Sequence, residues 1–315
     1  MGTGLLFDSR FEDHDTGFGH PECAARLRSV AVGLESRGRK ERMIPVPVRL
    51  AADAELERAH TPEYVALVGR EIEGGARRLS TGDTEVGPES ATVARSVAGG
   101  ILNAVDGVLE GRLRNAFCGG RPPGHHATAD RGMGFCIFNH VAVAARHAQA
   151  RHGVERVLIV DWDVHHGNGT QDIFYRDGQV FYFSTHQHPW YPGTGMADET
   201  GEGPGRGTTL NVPLPAGTDI RAVRAAFRDG LLPAMERFRP ELVLVSAGFD
   251  ARQGDPLGGF RLLDEDFAEL TRLVLDLADR HAGGRLVSVL EGGYHLGGLA
   301  AAVEAHVAVL MGEAG

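Results

Sequence analysis

The chain has 315 residues, 42% of them hydrophobic and 23% charged, with a formal net charge of −10. A chain of that size buries a substantial core, and the mixed composition, with 44 Gly and 15 Pro, excludes disorder, coiled coil and collagen. The acidic balance argues against a nonspecific grip on nucleic acid, and no apolar run reaches the length of about 18 residues that a membrane span needs.

Short apolar runs alternate with helical patterns along the chain. Strands are predicted at Gly4–Phe7, Ile44–Pro47, Asn115–Cys118, Arg156–Asp161, Val180–Ser184, Thr209–Pro213, Leu242–Ala247 and Leu286–Leu290. Helices are predicted at Ala91–Glu110, Asn139–His152, Asp219–Phe238, Asp264–His281 and Leu296–Met311, with another starting at Pro62. Asp219 and Asp264 stand where helix N-caps belong. Val157–Val160 and Leu242–Val245 are continuously apolar, as expected of parallel strands covered on both faces. The pattern predicts one α/β domain over residues 1–315, with the Gly-rich stretch Gly193–Gly207 as a functional loop.

Open parallel sheets bind ligands at the carboxyl ends of their strands. Four of the predicted strands are followed there by reactive side chains. Asn115–Cys118 leads to Arg121-Pro-Pro-Gly-His125-His126, and Arg156–Asp161 leads to Asp163, His165, His166 and Asn168. Leu242–Ala247 leads to Asp250, and Leu286–Leu290 leads to Glu291-Gly-Gly-Tyr294. The 15 histidines of the chain make such clustering worth following, because imidazole is both a common metal ligand and an acid–base group. Most of the others (His60, His147, His152, His281 and His306) read as surface or helix residues. The odd count of widely spaced cysteines, Cys23, Cys118 and Cys136, argues against a disulfide framework and for a reducing, cytoplasmic setting. The N-terminal MGTGLLFDSRFEDHD does not have the pattern of a signal peptide.

Asp161, Asp163 and His165 share one face of an extended segment, so Asp163 and His165 can serve one metal, with Asp250 as a third ligand. Two carboxylates and one imidazole leave the open position that a catalytic zinc needs. A capping role for Asp161 and Asp163 is the plainer alternative. His125 and His126 offer a base and an acid, and also suit a solvated turn or a ligand pair. If Asp161 orients one and Asn168 the other, the two imidazoles titrate differently, because only an anionic partner raises a histidine pKa. Tyr294 is either an oxyanion donor or a packed core residue.

The stretches RPPGHHA (Arg121–Ala127), MGFCIFN (Met133–Asn139), VDWDVHHGNGTQ (Val160–Gln171), ELVLVSAGFDARQGDPLGG (Glu241–Gly259) and VLEGGYHL (Val289–Leu296) are similar to those of the zinc-dependent histone deacetylase family. The form is closest to its class II branch and to bacterial histone deacetylase-like amidohydrolases. The similarity runs from about His20 to about Leu299, nearly the whole chain. It implies an arginase–deacetylase fold, an eight-stranded parallel sheet flanked by helices. It implies one catalytic zinc on Asp163, His165 and Asp250. It implies His126 as general base beside Asn168, His125 beside Asp161 as its partner imidazole, and Tyr294 as the group that polarises the carbonyl. A structural potassium is implied at Asp161, Ser184 and the backbone of Asp163, His165 and Thr185. Phe135 and Tyr191 match the walls of an acyl-lysine channel, with Gly134 beside them. Asp83 matches a rim acid, and His20 falls on the entrance loop. Leu257 stands where polyamine deacetylases of the family carry an acidic gatekeeper.

The leading reading is a zinc-dependent amidohydrolase that deacylates lysine in a peptide or a small acylated amine. An acetylpolyamine amidohydrolase is the alternative, disfavoured by Leu257. A binuclear manganese ureohydrolase would need further bridging carboxylates, and Asn168, Gly169, Ala251 and Arg252 stand nearby instead. A catalytically dead acyl-lysine reader would not need Asp163, His165, Asp250, His126 and Tyr294 together. Oligomeric state is not legible in the sequence.

Overall fold

Eight parallel strands form one sheet, in the order β2-β1-β3-β8-β7-β4-β5-β6, in a computed structural model that describes residues 1–35 and 37–313. The strands are β1 (Thr3–Leu6), β2 (Ile44–Pro45), β3 (Asn115–Cys118), β4 (Val157–Asp161), β5 (Val180–Gln187), β6 (Thr209–Leu214), β7 (Leu242–Ala247) and β8 (Leu286–Leu290). All eight predicted strands are present. The edge strand β2 is short, because Pro45 and Pro47 have no N–H to give to a ladder. β5 runs past its predicted end through Thr185, His186 and Gln187, all buried.

The continuous apolar runs reflect two cores, one on each face of the sheet. Ile159 of β4 and Leu244 of β7 point into a core capped by α4 (Ser90–Leu109) and α5 (His140–His152). Leu158, Val160, Val243 and Val245 point the other way, against α9 (Asp264–His281), α10 (Leu296–Leu310) and α1 (Ala24–Glu35). Alternation of side-chain direction therefore buries every residue of these strands. The other helices are α2 (Asp53–Leu56), α3 (Pro62–Glu73), α6 (Asn168–Phe174), α7 (Ile220–Ala225) and α8 (Leu232–Phe238). No helix of the described residues is long and apolar enough to cross a membrane.

Several local expectations need correction. The predicted helix Asp219–Phe238 is two helices joined by a π-helical stretch at Ala226–Leu231, next to Pro233, which cannot donate a ladder hydrogen bond. Asp219 does cap α7, accepting from the Arg221 N–H at 3.0 Å. Asp264 is not a cap. It lies within α9 and pairs with Arg252, while the Asp266 carboxylate reaches back to the Leu263 N–H. His306, on α10, and His60 are interior residues. His306 bonds Thr271 and Ser288 through its two ring nitrogens, and His60 accepts the N–H of Asn139, the N-cap of α5.

Burial holds His306 neutral and lowers its pKa to about 3. The same histidine titrates near its ordinary 6.5 in the unfolded chain. A depressed folded-state pKa gives stability that is present above 6.5 and lost as pH falls toward 3. At pH 5 the loss from this one group is about 2 kcal/mol relative to pH 8. His306→Gln, which keeps hydrogen-bonding capacity, should be less stable than the parent chain at pH 8. The gap in urea unfolding free energy should shrink by about 2 kcal/mol at pH 5. An equal gap at both pH values would show that His306 is not held neutral.

Candidate active site

The strand order makes neighbours of the four strands whose ends carry the reactive residues: β3, β8, β7 and β4. Since all run parallel, their carboxyl ends open at one edge, and the side chains that follow converge there.

At the centre lie Asp163, His165 and Asp250, buried, with donor atoms all within 4.8 Å of one another. His165 Nδ1 stands 2.9 Å from Asp163 Oδ1 and 3.1 Å from Asp250 Oδ2. The outer carboxylate oxygens are held by backbone donors. Gly292 N–H donates to Asp163 Oδ2 at 2.8 Å, and Val164 N–H donates to Asp250 Oδ1 at 2.8 Å. Gly292 cannot be replaced cheaply, because a Cβ there would fall 2.0 Å from Asp250 Oδ2. Burial and the adjacent Asp163 charge push the Asp250 carboxyl above its ordinary range. For His165, burial opposes the charged form, but Asp163 and Asp250 outweigh it and raise the imidazole to about 10. Two anions crowded into a dry pocket beside one imidazole are a donor set that a zinc ion fits, since a dication relieves their repulsion.

The two adjacent histidines differ in their partners. His125 Nδ1 is 3.0 Å from Asp161 Oδ2, and His126 Nδ1 is 2.9 Å from Asn168 Oδ1. Burial works against a charge on His125, yet Asp163 and Asp161 hold it well above its ordinary value. Burial takes His126 well below its ordinary value, reinforced by His125 and His165. The amide oxygen of Asn168 accepts, so His126 carries its proton on Nδ1 and keeps a lone pair on Nε2.

A cavity of about 220 Å³ opens above this centre, lined by His126, His165 and Tyr294 at its base. Tyr191 stands edge-on to His126 and His165, with ring centroids 5.1 and 6.3 Å away. Phe135 stands edge-on to Tyr294 at 6.0 Å, with His20 packed on it at 4.7 Å. Phe135 itself has a φ of 68°, and Gly134, at φ 56°, has no room for a Cβ, which would lie 2.3 Å from the His126 ring. Leu257 and Trp190 complete the wall. Burial, with Asp250 and Asp163 nearby, keeps the Tyr294 phenol well above its ordinary pKa, so it stays a neutral donor.

The structure therefore brings together His125, His126, Asp161, Asn168, Asp163, His165, Asp250 and Tyr294, with Phe135, Tyr191, Leu257, Gly134 and Asp83 around the opening. His20 reaches the cavity only through Phe135. Asp83 is engaged with the protein's own groups, accepting from Gly134 N–H at 2.8 Å and from the Tyr191 hydroxyl at 3.3 Å. Asp161 pairs with Ser184 in the β4–β5 register, with Thr185 next along β5. Its carboxylate is taken up by His125, the Tyr182 hydroxyl and the Asp163 N–H, and these contacts lend the potassium expectation no support.

Sequence reasoning missed a supporting set. Glu291 accepts from the N–H groups of Gly124 and His125 and from Ser246, and burial pushes it up to about 7. Asp255 accepts from Tyr294 N–H at 2.7 Å and His295 N–H at 3.0 Å, fixing the turn that carries the phenol. Arg26 of α1 lies 4.8 Å over the Tyr294 ring and donates to the Gly293 carbonyl. Glu22 bonds both Arg26 and Arg121, tying α1 to the turn after β3. Glu291 and Asp255 stood in stretches already noted, but nothing in their spacing signalled which backbone donors they would meet.

Known proteins resemble the chain over most of its length. The profile of the histone deacetylase domain matches residues 20–310. A histone deacetylase-like amidohydrolase of Pseudomonas aeruginosa is 46% identical over 275 residues, covering 87% of this chain and 71% of that one. An uncharacterised protein of Synechocystis is 41% identical over 302 residues, 95% of this chain and 96% of its own. The mouse polyamine deacetylase HDAC10 is 41% identical over 329 residues, covering 99% of this chain, which spans about half (49%) of that longer protein. The crystal structure of the HDA15 HD domain superposes with a TM-score of 0.94 at 40% identity, over 99% of this chain and 89% of that one. A shared arginase–deacetylase fold and a domain match across nearly the whole length place the chain in the histone deacetylase family.

Proposed function

We propose that this chain removes acetyl or other acyl groups from the ε-amine of lysine, or from a similar amine, as a zinc-dependent amidohydrolase. The observation that carries the reading is the meeting of three functions at the floor of one apolar cavity. They are a buried Asp163–His165–Asp250 donor set, an imidazole base at His126 and a neutral phenol at Tyr294.

Asp163, His165 and Asp250 would hold the zinc. When bound, zinc supplies a Lewis acid that polarises the scissile carbonyl and makes a water molecule more acidic. His126 takes a proton from the attacking water at Nε2, while Asn168 fixes the tautomer that leaves this nitrogen free to accept. The Tyr294 hydroxyl donates to the oxygen on which negative charge develops. His125, anchored to Asp161, lies 4.0 Å from His126 between ring centroids and places positive charge beside it. An imidazolium then protonates the leaving amine, and the products are a carboxylate and the free amine. Tyr191 and Phe135 flank the channel and give a methylene stem apolar burial.

Leu257 on the cavity wall favours a neutral acyl-lysine stem over a polycation, because it brings no charge to bind a second ammonium. The polyamine deacetylase among the relatives makes acetylpolyamines the competing substrate class.

Tyr294→Phe should lower kcat on an acetyl-lysine peptide by about 10²–10³-fold, the cost of one oxyanion donor, with zinc content unchanged. Undiminished turnover would remove the phenol from the mechanism. His126→Ala should cost about 10²–10⁴-fold, with zinc again retained. Leu257→Glu should raise the ratio of acetylspermidine to acetyl-lysine kcat/KM about tenfold or more, since about 1.4 kcal/mol of new ion pairing suffices. An unmoved ratio would place substrate selection elsewhere on the rim.

A further inference from the structure

A second convergence of donor atoms lies away from the catalytic centre, between α4 and α5. Among the described residues, only Asp163–His165–Asp250 and Asp106–His147–His152 bring three candidate ligand atoms within 4.8 Å of one another. Asp106 is on α4. His147 and His152 are on α5, five residues apart, and both turn Nε2 onto the same oxygen, Asp106 Oδ1, at 2.7 and 2.6 Å. The His147 side chain is 2% exposed, while those of His152 and Asp106 are 16% and 17% exposed, so the cluster has a closed inner side and an outer side open to water. Catalysis as described above uses none of the three.

We propose that Asp106, His147 and His152 form a second metal site, for a divalent transition ion of the zinc class, that clamps α4 to α5. Two imidazoles and one carboxylate match the ligand preference of such ions, with water completing the shell on the open side. Bond lengths near 2.0–2.1 Å to each ligand set neighbouring donors about 3.3 Å apart in a tetrahedral shell. From their hydrogen-bonded spacings of 2.7 and 2.6 Å, the two Nε2 atoms must therefore each draw back from Asp106 Oδ1 by roughly 0.6–0.7 Å.

One neighbour opposes the ion. Arg58 Nη1 stands 2.9 Å from His147 Nδ1 and donates to it, so the Nε2 of His147 carries the ring proton. To ligate through Nε2, the ring must move that proton to Nδ1, and the two N–H groups would then face each other. Arg58 is exposed and can swing out, at a cost in affinity. The second site is accordingly weaker than the first, and its strength is set by Arg58. Loading it bridges two helices that cover the same face of the sheet, which raises the unfolding temperature by mass action.

The alternative is a purely hydrogen-bonded cluster in which Asp106 accepts two imidazole N–H groups. Zinc uptake by the full-length chain, after chelation and dialysis against buffered free Zn²⁺, separates the two. The parent chain should take up one equivalent more than His152→Ala. His152→Ala should keep its deacylase activity and lose the rise in melting temperature caused by the last equivalent. Arg58→Ala should keep the extra equivalent and half-saturate it at a severalfold lower free zinc concentration. Equal uptake by the parent chain and His152→Ala would overturn the site. Unchanged or weaker binding in Arg58→Ala would overturn the assignment of His147 as a ligand.

Discussion

Two carboxylates, Asp163 and Asp250, are fully buried side by side, and most of the surrounding structure serves to tolerate them. Anions in a dry interior need partners, and here the backbone supplies several. Gly292 and Val164 donate to the outer oxygens, and His165 lies between the inner ones. The parallel sheet makes this possible. It places the ends of β3, β8, β7 and β4 at one edge, so that a carboxylate following β4 meets a carboxylate following β7 and a glycine turn following β8. Burial and the neighbouring Asp163 charge together raise the Asp250 carboxyl, and both are strains that a dication would relieve.

The same logic of partners separates the two histidines. His125 and His126 are adjacent in sequence and equally buried, yet one faces an anion and the other an amide. Burial opposes charge on both, but Asp163 and Asp161 outweigh it at His125, whereas His125 and His165 reinforce it at His126. Behind them Glu291 holds the backbone of the His pair, and Asp255 holds the backbone of Tyr294. These carboxylates act through position, fixing groups on three different turns relative to one another.

Much of this was legible in the sequence, for a definable reason. Strands buried on both faces read as unbroken apolar runs, so β4 and β7 announced themselves, and the residues just after a strand end are where chemistry collects. Helix interiors were less legible. The π-helical stretch at Ala226–Leu231 left the periodicity almost intact, and α1 was missed because the buried Arg26 interrupts its apolar stripe. His306 read as a helix residue because nothing local revealed the hydroxyls of Thr271 and Ser288 that meet its ring in the core. Asp83 shows the same limit. Its place on the rim could be read from sequence, but its bonds to Gly134 and Tyr191 exist only once the loops have folded together. Partners that come from distant segments are set by tertiary packing, and no local spacing encodes them.

The most direct test strips bound metal from the chain and returns it. The purified chain, treated with a strong chelator and freed of it, should lose hydrolysis of an ε-N-acetyl-lysine peptide. The activity should return with the first equivalent of Zn²⁺ and fail to return in Asp250→Asn. Turnover that survives complete removal of metal, or that returns equally in Asp250→Asn, would contradict a hydrolytic centre built on Asp163, His165 and Asp250.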